Sequence, residues 1–186
     1  MTSQTVISSF IFRIITKTRN VEITGIQAGK EVMSTFTNLL FHIVYSTKYR
    51  KPTIDTPWQD DLYGYVGGII RENKGTLLCM GGVRDHVHLL VKLSPTIAVS
   101  DMLRLMKSNS SKMVNETIRP RIPFEWQSGY AAFSVSESQH SHVRDYILNQ
   151  EEHHRRRTFE EEFIELLQRH NITYDERFVF DQEIIE

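Results

Sequence analysis

The segment 76–93, TLLCMGGVRDHVHLLVKL, carries the clearest structural pattern in the chain. Two runs rich in apolar residues, 76–83 and 87–93, flank the short polar link Arg84-Asp85. Strand-forming runs on either side of a tight polar link are typical of antiparallel pairing. The segment therefore predicts a β-hairpin, around which the remaining elements can be assembled.

The elements on either side of this hairpin alternate as expected for one α+β domain. Residues 36–46 predict a strand, and residues 55–73 predict a helix with apolar side chains at helical spacing. Beyond the hairpin, residues 99–115 predict a second helix, and a last strand falls within residues 124–135. This order predicts a ferredoxin-like split βαβ sandwich, with an antiparallel sheet and helices on one face. The other face would then be free for substrate or a second subunit.

Two more helices, over residues 137–150 and 159–170, are predicted beyond the sandwich. We therefore expect three parts in the chain. They are an N-terminal extension without sustained periodicity (1–32), a central domain (33–150) and a C-terminal helical tail (151–186).

Composition limits the class of protein without identifying it. The chain has 186 residues, of which 40% are hydrophobic, enough for one domain with a core. Counting charges gives +2 for residues 1–32 (4 basic, 2 acidic), +4 for 33–132 (12 basic, 8 acidic) and −7 for 133–186 (6 basic, 13 acidic). This balance excludes a strongly cationic polyanion binder, but it allows a local basic groove.

The single cysteine, Cys79, excludes an internal disulfide and a thiolate zinc cluster, which favours a reducing cytoplasm. The apolar stretch 7–15 is interrupted by Arg13 and lacks the basic start and cleavage pattern of a signal peptide. We find no apolar run of the length that a membrane helix needs. We therefore expect a cytoplasmic protein with no membrane segment.

Two pairs of residues are candidates for chemistry. His86 and His88 are two apart on a predicted strand, so both imidazoles point to one face and can share a divalent metal, or simply form hydrogen bonds there. Tyr146 and Gln150 are four apart on a predicted helix, where the tyrosine could equally pack in the core. Beside a metal, a tyrosine hydroxyl is a competent nucleophile on phosphorus, and a glutamine oxygen is an acceptable ligand.

In this order, the two motifs resemble those of the single-tyrosine HUH transposases of small bacterial insertion sequences and the related REP-associated tyrosine transposases. His-hydrophobic-His precedes Tyr-x-x-x-Gln by 58 residues, counted from the second histidine (146 minus 88). The segments YSTKYRKP, LRLMKSNSSKMVNE, FEWQSGYAAFSVS and NQEEHHRRRTFEEEF are also similar to this family. The resemblance covers about residues 34–180.

The resemblance implies a transposase that cleaves and rejoins single-stranded DNA through a 5′-phosphotyrosine intermediate. Tyr146 would be the catalytic nucleophile, and His86 and His88 would hold Mg²⁺ or Mn²⁺ with Gln150 as third ligand. His153 and His154 follow Gln150 by three and four residues, so the choice of third ligand stays open. The resemblance further implies single-stranded DNA with hairpin ends as substrate, and a homodimer with a composite active site, in which the tyrosine helix of one subunit serves the histidine pair of the other.

Basic and small polar side chains together suit sugar-phosphate contacts, although exposed cations on a helix can also be a solvated face. The run Arg155 to Arg157 could instead pair with Glu160 to Glu162. Aromatic residues near the last strand, Trp126, Tyr130 and Phe133, could stack on bases or belong to the core. The predicted DNA-binding residues are Lys48, Arg50, Lys51, Arg104, Lys107, Ser110, Ser111, Lys112 and Arg155.

Two other functions fit the same pattern. One is a domesticated relative that cleaves scattered repeats, which only the flanking DNA could distinguish. The other is a non-catalytic ferredoxin-like module that binds single-stranded nucleic acid by stacking. Such a module needs no metal, so metal dependence separates it from an enzyme.

Overall fold

The computed structural model describes residues 35–180, so the predicted N-terminal extension 1–32 lies outside the described residues. The strands are β1 (Leu40–Ser46), β2 (Thr76–Val83), β3 (His86–Lys92) and β4 (Ala131–Ser134). The helices are α1 (Thr56–Glu72), α2 (Val99–Met113), α3 (His140–Leu148), α4 (Gln150–His154), α5 (Phe159–Arg169) and α6 (Glu176–Val179). No helix among residues 35–180 is both long and apolar enough to cross a membrane.

The four strands form one antiparallel sheet in the order β2-β3-β1-β4. With α1 between β1 and β2, and α2 between β3 and β4, this is the ferredoxin-like split βαβ arrangement predicted from the sequence. The hairpin strands β2 and β3 pair from Thr76 opposite Lys92 to Val83 opposite His86. Strand β3, which carries the histidine pair, therefore lies inside the sheet rather than at its edge.

One face of the sheet packs on α1 and α2. Val87, Leu89 and Val91 of β3 point into this core and are fully buried. They meet the apolar faces of the two helices, including Leu62 of α1 and Met106 of α2. Side-chain alternation in the strand and helical spacing in α1 and α2 produce this core, as the sequence predicts.

The opposite face, expected from the sequence to be free, is covered by the C-terminal helices. Phe159, Phe163, Leu166 and Leu167 of α5 pack on this face in a cluster that includes Phe133 of β4. Helix α3 lies over β2 and β3, where its Ile147 is buried. The expectation failed because an apolar sheet face stays out of water, and the amphipathic helices that follow β4 are long enough to cover it.

The helix predicted over residues 137–150 is divided in the structure. A 3-10 turn at Glu137–Gln139 precedes α3, and Asn149 separates α3 from α4 with φ −103° and ψ 23°. Tyr146 and Gln150 therefore lie on two consecutive helices. They remain neighbours, since the Gln150 amide donates to the Tyr146 carbonyl oxygen at 3.4 Å.

Candidate active site

His86 and His88 begin β3 and point together to the face covered by the C-terminal helices, and both are fully buried. The Nδ1 atom of His86 lies 2.7 Å from Oδ1 of Asp85, the last residue of the hairpin turn. The Nδ1 atom of His88 lies 3.0 Å from Nε2 of His42, which projects from β1 to the same face. Each histidine of the pair is thus held in place by a partner on its Nδ1 side.

These partners leave the Nε2 atoms directed at the centre of the site. The Asp85 carboxylate accepts the Nδ1 proton of His86, so Nε2 of that ring carries the lone pair. Burial lowers the pKa of His86 to about 4 in spite of Asp85, and burial lowers the pKa of His42 to about 3. Both rings are therefore neutral near pH 7, the state in which imidazole binds metals.

A buried carboxylate on α5, Glu162, faces the two histidines from the helix side. Its Oε2 atom lies 3.2 Å from Nε2 of His154, 3.4 Å from Nε2 of His88 and 3.9 Å from Nε2 of His86. The four residues His86, His88, His154 and Glu162 each offer one ligand atom, and these atoms lie within 4.8 Å of one another. We call this group the His/Glu cluster.

The His/Glu cluster fits a divalent cation. Among the described residues, Nε2 of His86, Nε2 of His88 and Oε2 of Glu162 are buried without a hydrogen-bond partner, a costly arrangement that a cation would relieve. Burial alone would raise the pKa of Glu162, but the neighbouring imidazoles of His154 and His88 hold this pKa well below its usual range. An anionic oxygen beside imidazole nitrogens is a donor set that suits first-row divalent metals.

Tyr146 of α3 reaches the same carboxylate. Its hydroxyl donates to Oε1 of Glu162, and its ring meets the ring of His88 edge-on with centroids 5.8 Å apart. Burial raises the pKa of Tyr146 above the usual value, and the charge of Glu162 raises it further. The phenol is therefore protonated, with a proton acceptor already in contact.

Gln150 is buried beside the His/Glu cluster and contacts two of its members. Its Oε1 atom lies 3.0 Å from Nε2 of His154, and its amide donates to Oε1 of Glu162 at 3.2 Å. His153, the other alternative for a third ligand, lies outside the cluster, with its ring 4.9 Å from the ring of Tyr146. The structure thus gathers the sequence-predicted residues Tyr146, His86, His88, Gln150 and His154 in one place.

A glycine allows α3 to lie this close to the sheet. Gly81 of β2 pairs with His88, and a Cβ atom at Gly81 would lie 2.2 Å from the backbone oxygen of Ile147. Because that oxygen belongs to the helix backbone, any larger residue at Gly81 would push α3 outward. The missing side chain therefore sets the distance between Tyr146, which precedes Ile147, and His88.

Sequence reasoning missed Glu162 and His42 as site residues. A signal for Glu162 was present, because it occupies an apolar position of α5 between Phe159 and Leu166 at helical spacing, and a carboxylate on a buried face calls for a partner. His42 likewise interrupts the apolar alternation of β1 on the face that His88 shares. Both signals depend on knowing that this face of the sheet is covered.

The predicted DNA-binding residues separate into two surfaces. The first, which we call the arginine mouth, is an open cavity of about 640 Å³ that reaches the His/Glu cluster. It is lined by four arginines together with His86 and His154, the arginines being Arg50, Arg155, Arg156 and Arg157. The second, the lysine cavity, measures about 730 Å³ and is lined in part by Lys48, Arg104, Lys107, Ser108, Ser111 and Tyr130.

Several predicted contacts lie elsewhere. Ser110 is fully buried and its hydroxyl accepts from Nε1 of Trp126, so it does not lie on the protein surface as a DNA contact would require. Lys51 borders a smaller neighbouring cavity, and Lys112 is exposed 4.0 Å from Glu116. The small polar cluster of α2 misled the prediction because one of its serines faces inward.

The arginine run pairs with glutamates other than those expected. Arg155 and Arg156 contact Glu152, and Arg157 contacts Glu165. Among the three aromatic residues near β4, Trp126 and Phe133 are buried, while Tyr130 is 39% exposed and lines the lysine cavity. Tyr130 alone of these three remains available for stacking.

Comparison with known proteins agrees with this geometry. Residues 35–150 match the family model described as "Transposase IS200 like". The ISDra2 transposase TnpA of Deinococcus radiodurans is 25% identical over 118 residues, which span 60% of this chain and 84% of that protein. The transposase for insertion sequence element IS200 of Salmonella typhimurium is 27% identical over 130 residues, spanning 65% of this chain and 82% of that protein.

Solved structures share the fold. A crystal structure of a Deinococcus radiodurans protein assigned as a transposase has 25% sequence identity and a TM-score of 0.51, covering 66% of this chain and 98% of that chain. A REP-associated tyrosine transposase bound to a REP hairpin gives a TM-score of 0.52 over 85% of this chain and 100% of that chain; its 15% identity supports the fold alone. The resemblance inferred from the motifs is confirmed: this chain belongs to the family of IS200-like transposases, which are DNA-cleaving enzymes.

Proposed function

We propose that this transposase cuts and rejoins single-stranded DNA through a covalent link to Tyr146, with a divalent cation, Mg²⁺ or Mn²⁺, held by His86 and His88. One observation carries the proposal. The hydroxyl of Tyr146 and the Nε2 atoms of His86 and His88, which lack hydrogen-bond partners within residues 35–180, all converge on the carboxylate of Glu162. A nucleophile next to a ready-made cation site is the arrangement that phosphoryl transfer requires.

The chain's own residues supply the remaining parts of the reaction. A cation, when bound, would polarise the scissile phosphate and offset its developing charge. Tyr146 attacks phosphorus, its oxygen forms the new P–O bond, and its proton passes to the Glu162 oxygen that already accepts it. The bond to the 3′ oxygen breaks, and that oxygen leaves as a hydroxyl after taking up one proton, which balances the proton that Tyr146 gave to Glu162. A later attack by a 3′-hydroxyl reverses these steps, so strands can be exchanged without external energy.

The arginine mouth is the proposed path of the scissile strand to the site. Its arginines are paired with carboxylates, as Arg50 is with Asp85 at 2.9 Å and Arg155 with Glu152 at 2.9 Å. The exposed Arg155–Glu152 pair contributes about 0–1 kcal/mol, so a phosphate can displace its carboxylate. The lysine cavity, with Tyr130 at its wall, would bind folded DNA next to the cleavage site, such as a hairpin. The structure of the REP-associated relative contains a REP hairpin as its bound ligand.

The covalent intermediate provides the test. The full chain, incubated with Mn²⁺ and single-stranded DNA from the ends of its own element, should acquire a DNA adduct that resists denaturation and maps to Tyr146. Tyr146→Phe should remove the adduct and leave DNA binding unchanged, whereas the matched variant Tyr130→Phe should keep it. An undiminished adduct in Tyr146→Phe would refute the nucleophile. Equal binding with and without Mn²⁺, with no adduct, would indicate a passive single-strand binder.

The same assay tests the composite active site. The family resemblance implies a homodimer in which the tyrosine helix of one subunit serves the histidine pair of the other, and this is the alternative to the single-chain arrangement in which Tyr146 contacts Glu162 beside His88. A His86→Ala, His88→Ala double variant mixed with Tyr146→Phe should then regain adduct formation in heterodimers that contain one complete site. If the mixture forms no adduct, each site is completed by a single chain, as α3 and β3 are arranged here.

A further inference from the structure

Glu162 lies on α5, beyond residue 150, where the match to the family model ends. We infer that Glu162, rather than Gln150, is the third protein ligand of the cation held by His86 and His88, and that the same carboxylate fixes the position of Tyr146. This inference rests on the proposed metal-dependent function. It adds a residue that neither the motif nor the family match contains.

The distances around Glu162 suit a single ion. Two ligand atoms that each lie about 2.2 Å from one cation are at most about 4.4 Å apart. Its Oε2 atom lies 3.4 Å from Nε2 of His88 and 3.9 Å from Nε2 of His86, within that limit. All three atoms are buried without a hydrogen-bond partner among the described residues. The ligand atoms of the whole cluster lie within 4.8 Å of one another, so small side-chain adjustments would let these three surround one cation.

Charge also favours Glu162 over Gln150. Two neutral imidazoles carry no charge to offset a divalent cation, so an anionic oxygen contributes more than a neutral amide oxygen. The Oε1 atom of Gln150 is in addition engaged 3.0 Å from Nε2 of His154. Gln150 therefore supports the ligands, because its amide also donates to Glu162 at 3.2 Å.

The two oxygens of Glu162 contact different partners. While Oε2 faces the histidines, Oε1 accepts the hydroxyl of Tyr146 and the amide of Gln150. A single rigid carboxylate thus links the nucleophile to the cation site, and α5 carries that link. Removing the carboxylate should both weaken cation binding and release the Tyr146 hydroxyl.

Cation binding to the full chain without DNA tests the assignment. Calorimetric titration with Mn²⁺, checked by the electron paramagnetic resonance signal of free Mn²⁺, should show Glu162→Gln binding at least about tenfold more weakly than wild type. Glu165→Gln is the matched control, since it removes the same charge one turn later on α5, where the carboxylate contacts Arg157 and Arg169. The control should stay within about twofold of wild type. Equal binding by the two variants would overturn the inference.

Gln150→Leu decides between the two candidate ligands. It should weaken Mn²⁺ binding less than Glu162→Gln does, and the reverse order would show that Gln150 is the third ligand.

Should Glu162→Gln lose its cooperative thermal transition, Glu162→Asp replaces it; the shorter side chain keeps the charge, withdraws the oxygen and should still weaken Mn²⁺ binding relative to Glu165→Gln. If wild type takes up no Mn²⁺, the proposed function itself fails. If wild type binds Mn²⁺ and Glu162→Gln binds it equally, only this inference fails.

Discussion

The two faces of the sheet are built from alternate residues of the same strands, yet they differ in kind. On the face that packs against α1 and α2, Val87, Leu89 and Val91 are buried among apolar side chains. On the face covered by α3 and α5, His86 and His88 are as deeply buried but among polar groups, several of them without partners among the described residues. These residues of β3 are fully buried on both faces, so the degree of burial does not distinguish one face from the other.

This difference indicates that one face of the sheet mainly stabilises the fold, whereas the other carries the residues of the candidate active site. An apolar core gains free energy from every contact, whereas buried polar atoms without partners cost free energy until a ligand satisfies them. The α3/α5 face is therefore held together by its apolar margins, such as Ile147 and Phe163, around a centre that is destabilising by itself. Three perturbations test this contrast.

The largest effect on stability is expected from substitutions at two neighbouring residues of β3 whose side chains point to opposite faces of the sheet. Leu89→Ala removes a fully buried side chain from the α1/α2 core and should lower the free energy of unfolding by about 2–5 kcal/mol. Mn²⁺ affinity of the folded protein should be unchanged. His88→Leu should lower stability less than Leu89→Ala does and abolish tight Mn²⁺ binding. Urea denaturation and Mn²⁺ titration of both variants check this, and loss of Mn²⁺ binding in folded Leu89→Ala would contradict the separation of roles.

Acid should destabilise the histidine-bearing face. Burial holds the pKa of His42 at about 3 and that of His86 at about 4, against 6.5 for the free side chain. Between those values the unfolded chain binds more protons than the folded one, so stability falls as pH decreases from about 6.5. His154 acts in the opposite direction, since Glu162 overcomes burial and raises its pKa, and it offsets part of the loss.

In the absence of added metal, we expect the free energy of unfolding to be lower at pH 5 than at pH 7 by about 2 kcal/mol. Urea denaturation at the two pH values measures it. The matched variant His42→Gln should show a smaller difference between them. A wild-type stability that is unchanged or higher at pH 5 would mean that these histidines are charged in the folded protein.

An effect on stability of about the same size as that of acid is expected at the glycine that separates α3 from β2. Gly81→Ala places a methyl group against the Ile147 backbone oxygen and should cost about 1–3 kcal/mol by displacing α3. Adduct formation at Tyr146 should fall by a larger factor than Mn²⁺ affinity. Gly68→Ala, in α1 with open space around it, is the control and should be neutral or slightly stabilising. Equal thermal transitions for the two variants would show that α3 tolerates displacement.

The α1/α2 face could be predicted from the sequence because it follows local rules. Alternation in β3 and helical spacing in α1 place each apolar side chain without knowledge of the rest of the chain. His86, His88 and Tyr146 were also found, because their spacing belongs to a motif. Each pair has a local spacing, and the order of the two pairs along the chain supplies the rest of the signal.

The rest of the site could not be predicted because it depends on where α5 packs. Glu162 lies in the run Glu160 to Glu162, which by composition indicates an exposed, solvated helix start. Only the packing of Phe159 and Phe163 on the sheet turns one of these carboxylates inward. The expectation that Ser110 is exposed was wrong for the same reason, since its burial depends on the position of Trp126. Long-range packing determines the position of both residues, and the helical spacing of Glu162 becomes a signal only when this face of the sheet is known to be covered.

The wide spacing of the site residues along the chain also bears on the order of folding. His42, His88, Tyr146 and Glu162 come from four elements, and the His42–His88 contact alone spans 46 positions. Contacts between distant residues form late, because closing a long loop costs entropy before any contact rewards it. We therefore expect the hairpin and the α1/α2 core to form first and α5 to dock last. Until α5 docks, the nascent protein exposes its histidines to water and has no enclosed site.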